Sequence, residues 1–395
     1  MLYRRWLELL ARFAGRPAIF QGAGSLTFTD LADALGQKPT AEGPVRARSG
    51  SVDIFVEVLR AWRDGQVLVL SERDADFPLL GGMPKSTSLV KYTAGGSGIP
   101  RGIFFNEAQV AADVDRLVGV LELRAGVPNL GVISLVHSYG FSSVVLPLLL
   151  HGVPVHLVEV PFPRAIDEAF KMHPAIYVAA VPSMWRAWLR AGILVGAPIR
   201  CALSAGAPLA LELETQVMAA AGLKIRNFYG ASECGGISLD LAEKVRESAE
   251  DVGEPLPGVQ LSFSEDKRII VQSASVAMGY EFSHDDEWLG AGIYQTRDFG
   301  MMGAGERLYL TGTSGAAINV AGRKISPSTL EAAIASTGLV RQIKIYGIPS
   351  SDAERCEEIV ARVELRPGAT LEEVKCHSMK VLQCWERPRH WRVMT

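Results

Sequence analysis

Between residues 107 and 221 the chain alternates between two hydrophobic periods, and a layered sheet-and-helix architecture satisfies both at once. The apolar, β-branched runs GVISLV (131–136), VPVHLVEV (153–160), AIYVAAV (175–181) and IRCALSA (199–205) read as buried strands. Around them, residues 107–122, 183–192 and 209–221 carry the spacing of amphipathic helices. Strands separated by helices pair largely in parallel, which gives an α/β fold. After about residue 250 the texture changes to short strand candidates at 259–263, 268–272 and 307–310, separated by Gly, Pro and Asp turns. That stretch reads as a β-rich subdomain.

Beyond Thr311 the sequence restarts with a strand, a turn and a helix in INVAGRKISPSTLEAAIAS. Two strands come next, then a last helix, LEEVKCHSMKVLQCW. Ser328 with Glu331 has the spacing of a capping box. The expected organisation is a large N-terminal domain over 1–311, with mainly parallel sheets, and a small α+β lid domain over 312–395. A chain of 395 residues suits two such bodies. No internal repeat is evident, and only 36–51 has the mixture of an irregular segment.

Composition narrows the function classes. Hydrophobic residues make up 48% and charged residues 21%, which is globular rather than disordered. A net charge of −3 gives no overall field that would draw in nucleic acid or an anionic membrane. The run from Val144 to Leu150 is broken by Pro147 and is far shorter than the ~20 residues of a membrane span. At the start, Arg4, Arg5, Glu8 and Arg12 break up any signal-like apolar stretch, so Trp6, Leu9, Leu10 and Phe13 read as one face of a core-packing helix. Five cysteines without a CxxC pair fit a reducing, cytoplasmic setting. Cys376, His377, Cys384 and His390 match no zinc spacing.

Four short segments carry chemistry. In Lys91-Tyr92-Thr93-Ala94-Gly95-Gly96-Ser97-Gly98-Ile99-Pro100-Arg101-Gly102, the glycines let backbone N–H groups approach a phosphate, while Thr93, Ser97 and Arg101 supply donors and a cation. Neither the Walker A pattern nor the dinucleotide spacing is present. Asn227-Phe228-Tyr229-Gly230-Ala231-Ser232-Glu233-Cys234-Gly235-Gly236 offers an aromatic face, a hydroxyl and a carboxylate able to hold magnesium beside phosphates. It approaches a hydrolase nucleophile elbow, but Cys234 replaces the second glycine and no Asp and His come after it in hydrolase order. Thr296-Arg297-Asp298 places a carboxylate suited to both hydroxyls of a ribose. Gly322-Arg323-Lys324-Ile325-Ser326-Pro327 opens the last domain.

In this order the segments resemble the adenylate-forming superfamily of acyl-CoA synthetases, adenylation domains and luciferases. Residues 93–102 are similar to its Thr-Ser-Gly-Ser/Thr-Thr-Gly-x-Pro-Lys-Gly phosphate loop, 229–233 to Tyr-Gly-x-Thr-Glu, and 296–298 to Thr-Gly-Asp. Ser204-Ala205-Gly206-Ala207-Pro208-Leu209 resembles the loop that lies against adenine, and His137 sits where the family gates its acyl pocket. The resemblance implies ATP and Mg2+ as cofactors, with Glu233 as the metal ligand. Thr93, Gly95, Gly96, Ser97, Gly98 and Arg101 would hold the phosphates. Gly206, Ala207, Pro208, Asn227 and Tyr229 would hold the base, and Asp298 the ribose. Ser232, Glu233 and Lys324 would be catalytic. His137, Gly230, Gly235 and Gly236 would line the acyl pocket, the small residues leaving room for a flat ring or a chain.

The implied reaction is activation of a carboxylic acid as an acyl adenylate and transfer to the thiol of coenzyme A or a carrier protein, after a hinge rotation of the small domain. Val136-His137-Ser138-Tyr139 lacks the aspartate that pairs an amino acid's ammonium, so the acid is expected to be an aryl or acyl acid without an amino group. The hinge segment reads Gly312-Thr313-Ser314-Gly315-Ala316, without the family's arginine. Cys384 to Thr395 resembles the stretch before the family's Pro-x-Thr-x-x-Gly-Lys element, which leaves Lys324 or Lys344 as the substitute cation. Two alternatives stand beside this reading: a degenerate adenylate-binding protein, or an enzyme of one half-reaction.

Overall fold

The computed structural model describes residues 1–22, 24–48, 52–70, 82–94, 100–265, 267–281, 289–313, 318–320, 323–325, 327–350 and 357–394; at 93, 94, 100, 313, 319, 323, 324, 328, 329, 332 and 349 the backbone alone is described. Two compact units emerge, one built from Met1–Thr93 and Pro100–Thr311 and the other chiefly from Gly312–Thr395, with Ala94 assigned to it as well.

The first unit is organised by a nine-stranded sheet. Its middle six strands are parallel: Ile225–Ala231, Ile199–Ser204, Ile176–Ala180, Asn129–Gly131, Val155–Leu157 and Pro17–Gln21 lie side by side in that order. Antiparallel strands close each side. Gly235–Leu239 and then Glu254–Pro255 lie beyond Ile225–Ala231, while Gly24–Thr27 pairs with Pro17–Gln21. Helices Glu107–Val120, Pro182–Arg190 and Leu211–Ala221 form where the 3.6-residue spacing places them. The first of these starts at a reciprocal cap, with Asn106 Oδ1 accepting from Gln109 N and Gln109 Oε1 accepting from Asn106 N.

A second sheet runs Gly279–Tyr280, Pro100–Phe105, Leu89–Ala94, Leu68–Leu70 and Val45–Ala47. The β-rich region is a separate antiparallel sheet in which Gln260–Phe263, Arg268–Gln272 and Ile293–Met302 are neighbours. The N-terminal helix, Leu2–Phe13, buries Leu2, Trp6 and Leu9. Phe28 receives the rings of both Trp6 and Phe13 at 5.9 Å.

Expected strand 131–136 shrinks to Asn129–Gly131. His137 N bonds back to Ser134 O at 3.3 Å, so the backbone has already turned away from the sheet. Phe141–Val145 is then a π-helical turn leading into the helix Leu146–His151. Pro147 explains it: lacking an N–H, it leaves the Ser143 carbonyl without its α-helical donor. Asn129 Nδ2 takes that carbonyl at 2.9 Å. The apolar run 144–150 is therefore a buried, broken helix, and among the described residues no helix is long and apolar enough to cross a membrane.

His156 lies on the strand Val155–Leu157, 4% exposed, its Nδ1 2.8 Å from Nε2 of His173. Burial, and then the facing imidazole, push its pKa down from 6.5 to about 4. Unfolded, the ring takes a proton near 6.5; folded, it resists until about pH 4. Stability contributed here is complete above pH 6.5 and is lost as the pH falls toward 4. Melting temperatures across that window should slope less steeply in His156→Asn; an unchanged slope would remove His156 as the cause.

In the second unit, Val340–Pro349 pairs antiparallel with Glu357–Leu365, which runs parallel to His390–Val393. The helix Pro327–Ala335 begins at Pro327, so Ser328 is its second residue and not its cap. Glu331 Oε1 instead accepts from Ile345 N at 2.7 Å. The helix Leu371–Val381 carries a complete capping box of Thr370 and Glu373. His377 Nδ1 lies 2.9 Å from Glu373 O, and His390 Nε2 lies 2.7 Å from Glu358.

Candidate functional site

The glycine-rich segment is entered by the strand Leu89–Ala94 and left by the strand Pro100–Phe105. Gly95, Gly96, Ser97 and Gly98 lie outside the described residues, as does the side chain of Thr93. Antiparallel register sets Tyr280 opposite Ile103 and Gly279 opposite Phe104, which brings the Tyr280 ring under the guanidinium of Arg101 at 4.3 Å. Tyr280 then donates its hydroxyl to Glu233 Oε1 at 2.9 Å. Arg101, Tyr280 and Glu233 thus form one connected chain of side chains.

Glu233 occupies the turn between the strands Ile225–Ala231 and Gly235–Leu239. Cys234 N closes the turn on Ala231 O at 3.2 Å, and Ala277 N anchors Glu233 O at 2.8 Å. Only 8% of Glu233 is exposed. Beside it, Ser232 Oγ accepts from Ser138 Oγ at 3.0 Å. Burial drives the Cys234 thiol far up from its ordinary value, with Glu233 and Asp113 adding to the shift, so it stays a thiol and offers no nucleophile.

Two residues before the end of the same strand, Tyr229 donates its hydroxyl to Asp298 Oδ2 at 2.6 Å. Burial, and then Asp298, hold the phenol protonated. Asp298 N donates to Thr296 Oγ1 at 3.1 Å, fixing the backbone that presents the carboxylate. The strand Ile225–Ala231 therefore joins two acidic centres, Glu233 and Asp298, that lie 65 positions apart in sequence.

The other expected residues divide. Gly206, Ala207 and Pro208 are exposed just past the strand Ile199–Ser204, whose last side chain, Ser204, is fully buried. Asn227 is buried, and its Nδ2 donates to Asp251 O at 3.1 Å, a bond that serves the fold. His137 is exposed, and its Nδ1 accepts from Tyr139 N at 3.3 Å. Lys324 lies in the hairpin of Ile318–Val320 and Arg323–Ile325 with its side chain outside the description, and Lys344 lies on the strand Val340–Pro349, paired across to Arg362.

The three pocket glycines were expected to leave room for a ring or a chain, and their Cβ positions show something else. A Cβ on Gly230 would meet Gly235 O at 2.6 Å, and one on Gly236 would meet Leu256 at 2.7 Å and Phe228 at 2.8 Å. One on Gly235, whose φ is +71°, would run into the Asp113 carboxylate. The space these glycines save is taken up by the protein itself.

Three residues were given no role in the sequence reading. Tyr280 gives no local signal. Lys91 does: it shares a strand face with Leu89, so period-2 alternation puts a charge where a core residue belongs. It is 6% exposed, its Nζ is 4.6 Å from the Phe105 ring, and burial pulls its pKa down against the carboxylates of Asp113 and Glu233. Asp113 accepts from Ser142 Oγ at 2.6 Å and from Gly236 N at 3.1 Å.

Comparison with known proteins places the chain in a family. The family model described as AMP-binding enzyme matches residues 56–280, more than half of the chain. A probable 2-succinylbenzoate–CoA ligase of Mycobacterium tuberculosis is 27% identical over 324 residues, covering 78% of this chain and 79% of that protein. Sulfoacetate–CoA ligase of Cupriavidus necator is 24% identical over 385 residues, covering 90% of this chain and 73% of its own. Among solved structures, o-succinylbenzoate CoA synthetase from Bacillus subtilis shares the fold at a TM-score of 0.72 and 17% identity, covering 99% of this chain and 94% of that one. With the matched region running from the helix Asp53–Arg63 to the tyrosine that holds Glu233, the chain belongs to the AMP-binding enzyme family.

Proposed function

We propose that the protein activates a carboxylic acid without an amino group, at the expense of ATP, and passes the acyl group to coenzyme A. The observation that carries this reading is the pairing of a buried carboxylate, Glu233, with a second one, Asp298, by way of a single strand. Asp298 has the chemistry to take ribose hydroxyls, with Tyr229 fixing its orientation. Arg101 is the cation that comes after the glycine-rich segment, where phosphates would lie.

In the first half-reaction an oxygen of the substrate carboxylate bonds to the α-phosphorus of ATP while the bond to pyrophosphate breaks. In the second, the thiol sulfur bonds to the acyl carbon and AMP leaves with the electron pair. Such displacements depend on positioning and fixed charge more than on protein nucleophiles. The donor suits magnesium: Glu233 offers a hard carboxylate oxygen at the turn after the strand Ile225–Ala231. A lone carboxylate beside phosphates matches an ion that keeps several waters. Glu233 would hold it, and the ion would neutralise charge on the phosphates.

Coenzyme A is favoured over a carrier protein because both relatives named above are CoA ligases. Incubation with ATP, Mg2+, coenzyme A and a panel of aryl and aliphatic acids should give acid-dependent pyrophosphate release and a thioester. Tight binding of a non-hydrolysable acyl adenylate by calorimetry, with no turnover of any acid, would replace this reading by that of an adenylate-binding protein.

A further inference from the structure

Tyr280 touches two charged groups at once: its hydroxyl donates to Glu233 Oε1 at 2.9 Å, and its ring centre lies 4.3 Å from the Arg101 guanidinium. Neither contact is needed to place the tyrosine. Strand register sets it opposite Ile103, and the backbone is pinned on both sides of it. Met278 N donates to Phe104 O and Glu281 N to Gly102 O, each at 2.8 Å, while Gln109 Nε2 donates to Val276 O at 2.6 Å.

The main chain of Glu233 is likewise held without the phenol. Ala277 N donates to Glu233 O at 2.8 Å, and Ser275 Oγ donates to the next carbonyl, that of Cys234, at 2.7 Å. What the hydroxyl adds therefore lies at the Glu233 side chain, where it holds one carboxylate oxygen. A glutamate has rotamer freedom to lose, and a donor that restricts it beforehand lowers the entropic cost of binding a ligand there. The ring acts on Arg101, which is 7% exposed. A cation over a π face is held electrostatically, and its N–H donors take no part in that contact.

We propose that Tyr280 is a positioning residue shared by two charges: its hydroxyl sets the Glu233 carboxylate for magnesium, and its ring seats Arg101 for the phosphates of ATP. The inference rests on the acid-activating reading, in which Glu233 is the magnesium ligand. Tyr280 acts through these two side chains, so its hydroxyl governs how strongly the metal aids nucleotide binding, and its ring governs the part of binding that needs no metal.

The test titrates α,β-methylene-ATP, which cannot be split at the α-phosphorus, into the protein by calorimetry, once with Mg2+ and once with EDTA. Wild type should bind at least ~tenfold more tightly with the metal. In Tyr280→Phe, which keeps the ring, that ratio should fall by about tenfold, the order of one hydrogen bond to a charged group, with the affinity in EDTA unchanged. Tyr280→Leu should lose the same ratio and also about three- to thirtyfold of the affinity in EDTA. Turnover gives a second readout. The Mg2+ concentration for half-maximal pyrophosphate release should rise about tenfold in Tyr280→Phe, while kcat at saturating Mg2+ returns to near the wild-type value; a folding defect is not repaired by metal. A wild-type ratio in Tyr280→Phe, when Glu233→Gln has lost it, overturns the proposal and leaves acid activation standing. Tyr280→Leu matching Tyr280→Phe in EDTA overturns the part assigned to the ring. A ratio kept by Glu233→Gln removes the magnesium ligand, and no nucleotide binding by wild type removes acid activation; either result takes the role of Tyr280 with it.

Discussion

Glu233→Gln should lower acid-dependent pyrophosphate release by at least ~100-fold, the usual cost of deleting one preorganised electrostatic group from a reaction centre. The amide keeps an oxygen for Tyr280 at the 2.9 Å bond and nearly the same volume at an 8% exposed position. The change removes charge: that of the proposed magnesium ligand, which is also one of the two carboxylates whose fields support the Lys91 ammonium. The melting transition should therefore stay close to that of wild type. Wild-type turnover by a folded Glu233→Gln would exclude this carboxylate from the reaction.

Glu214→Ala should instead be silent in chemistry and severe in stability, at a cost of about 3–5 kcal/mol by denaturant unfolding. Glu214 is fully buried and binds two cations, accepting from Arg246 Nε at 2.8 Å and from Lys224 Nζ. Lys224 also pairs with Asp240, itself fully buried and bonded to Arg307 Nη2 at 2.6 Å. Removing Glu214 leaves the buried Arg246 with three backbone carbonyls as acceptors but without the carboxylate that balances its charge. A loss under ~1 kcal/mol would mean that water reaches the cluster in solution.

The cluster also sets a direction with pH. Despite burial, which acts the other way, bonds from Lys224 and Arg307 hold the Asp240 pKa below its ordinary 3.8. Its stabilisation is complete above that value and is lost as the pH falls through the lower folded one. The His156 loss begins at higher pH, so acid titration of the melting temperature should show two steps.

Much of the fold is legible in the sequence because its strands are buried on both faces and its helices are amphipathic. AIYVAAV and IRCALSA contain the strands Ile176–Ala180 and Ile199–Ser204, and 107–122 contains the helix Glu107–Val120. Failures come where a tertiary partner outweighs local period. Val160, expected inside, is 51% exposed because the strand ends at Leu157, and Pro147 alone does not announce that Asn129 will cover the freed carbonyl. The same holds for the site. Glu233 and Asp298 stand in recognisable short motifs, whereas Tyr280 acquires its place only through strand register across 177 positions. Glycine spacing is ambiguous in principle, since a missing side chain can admit a ligand or a neighbouring backbone.

The nine-stranded sheet has a further consequence, for self-association. Six parallel strands assemble slowly through non-local contacts, and an exposed sheet edge invites pairing with a second chain. Here both edges are short: Gly24–Thr27 has four residues, and Glu254–Pro255 has two, one of them unable to donate a hydrogen bond. The sheet finishes on strands too brief to template another, a built-in brake on aggregation for a large α/β core.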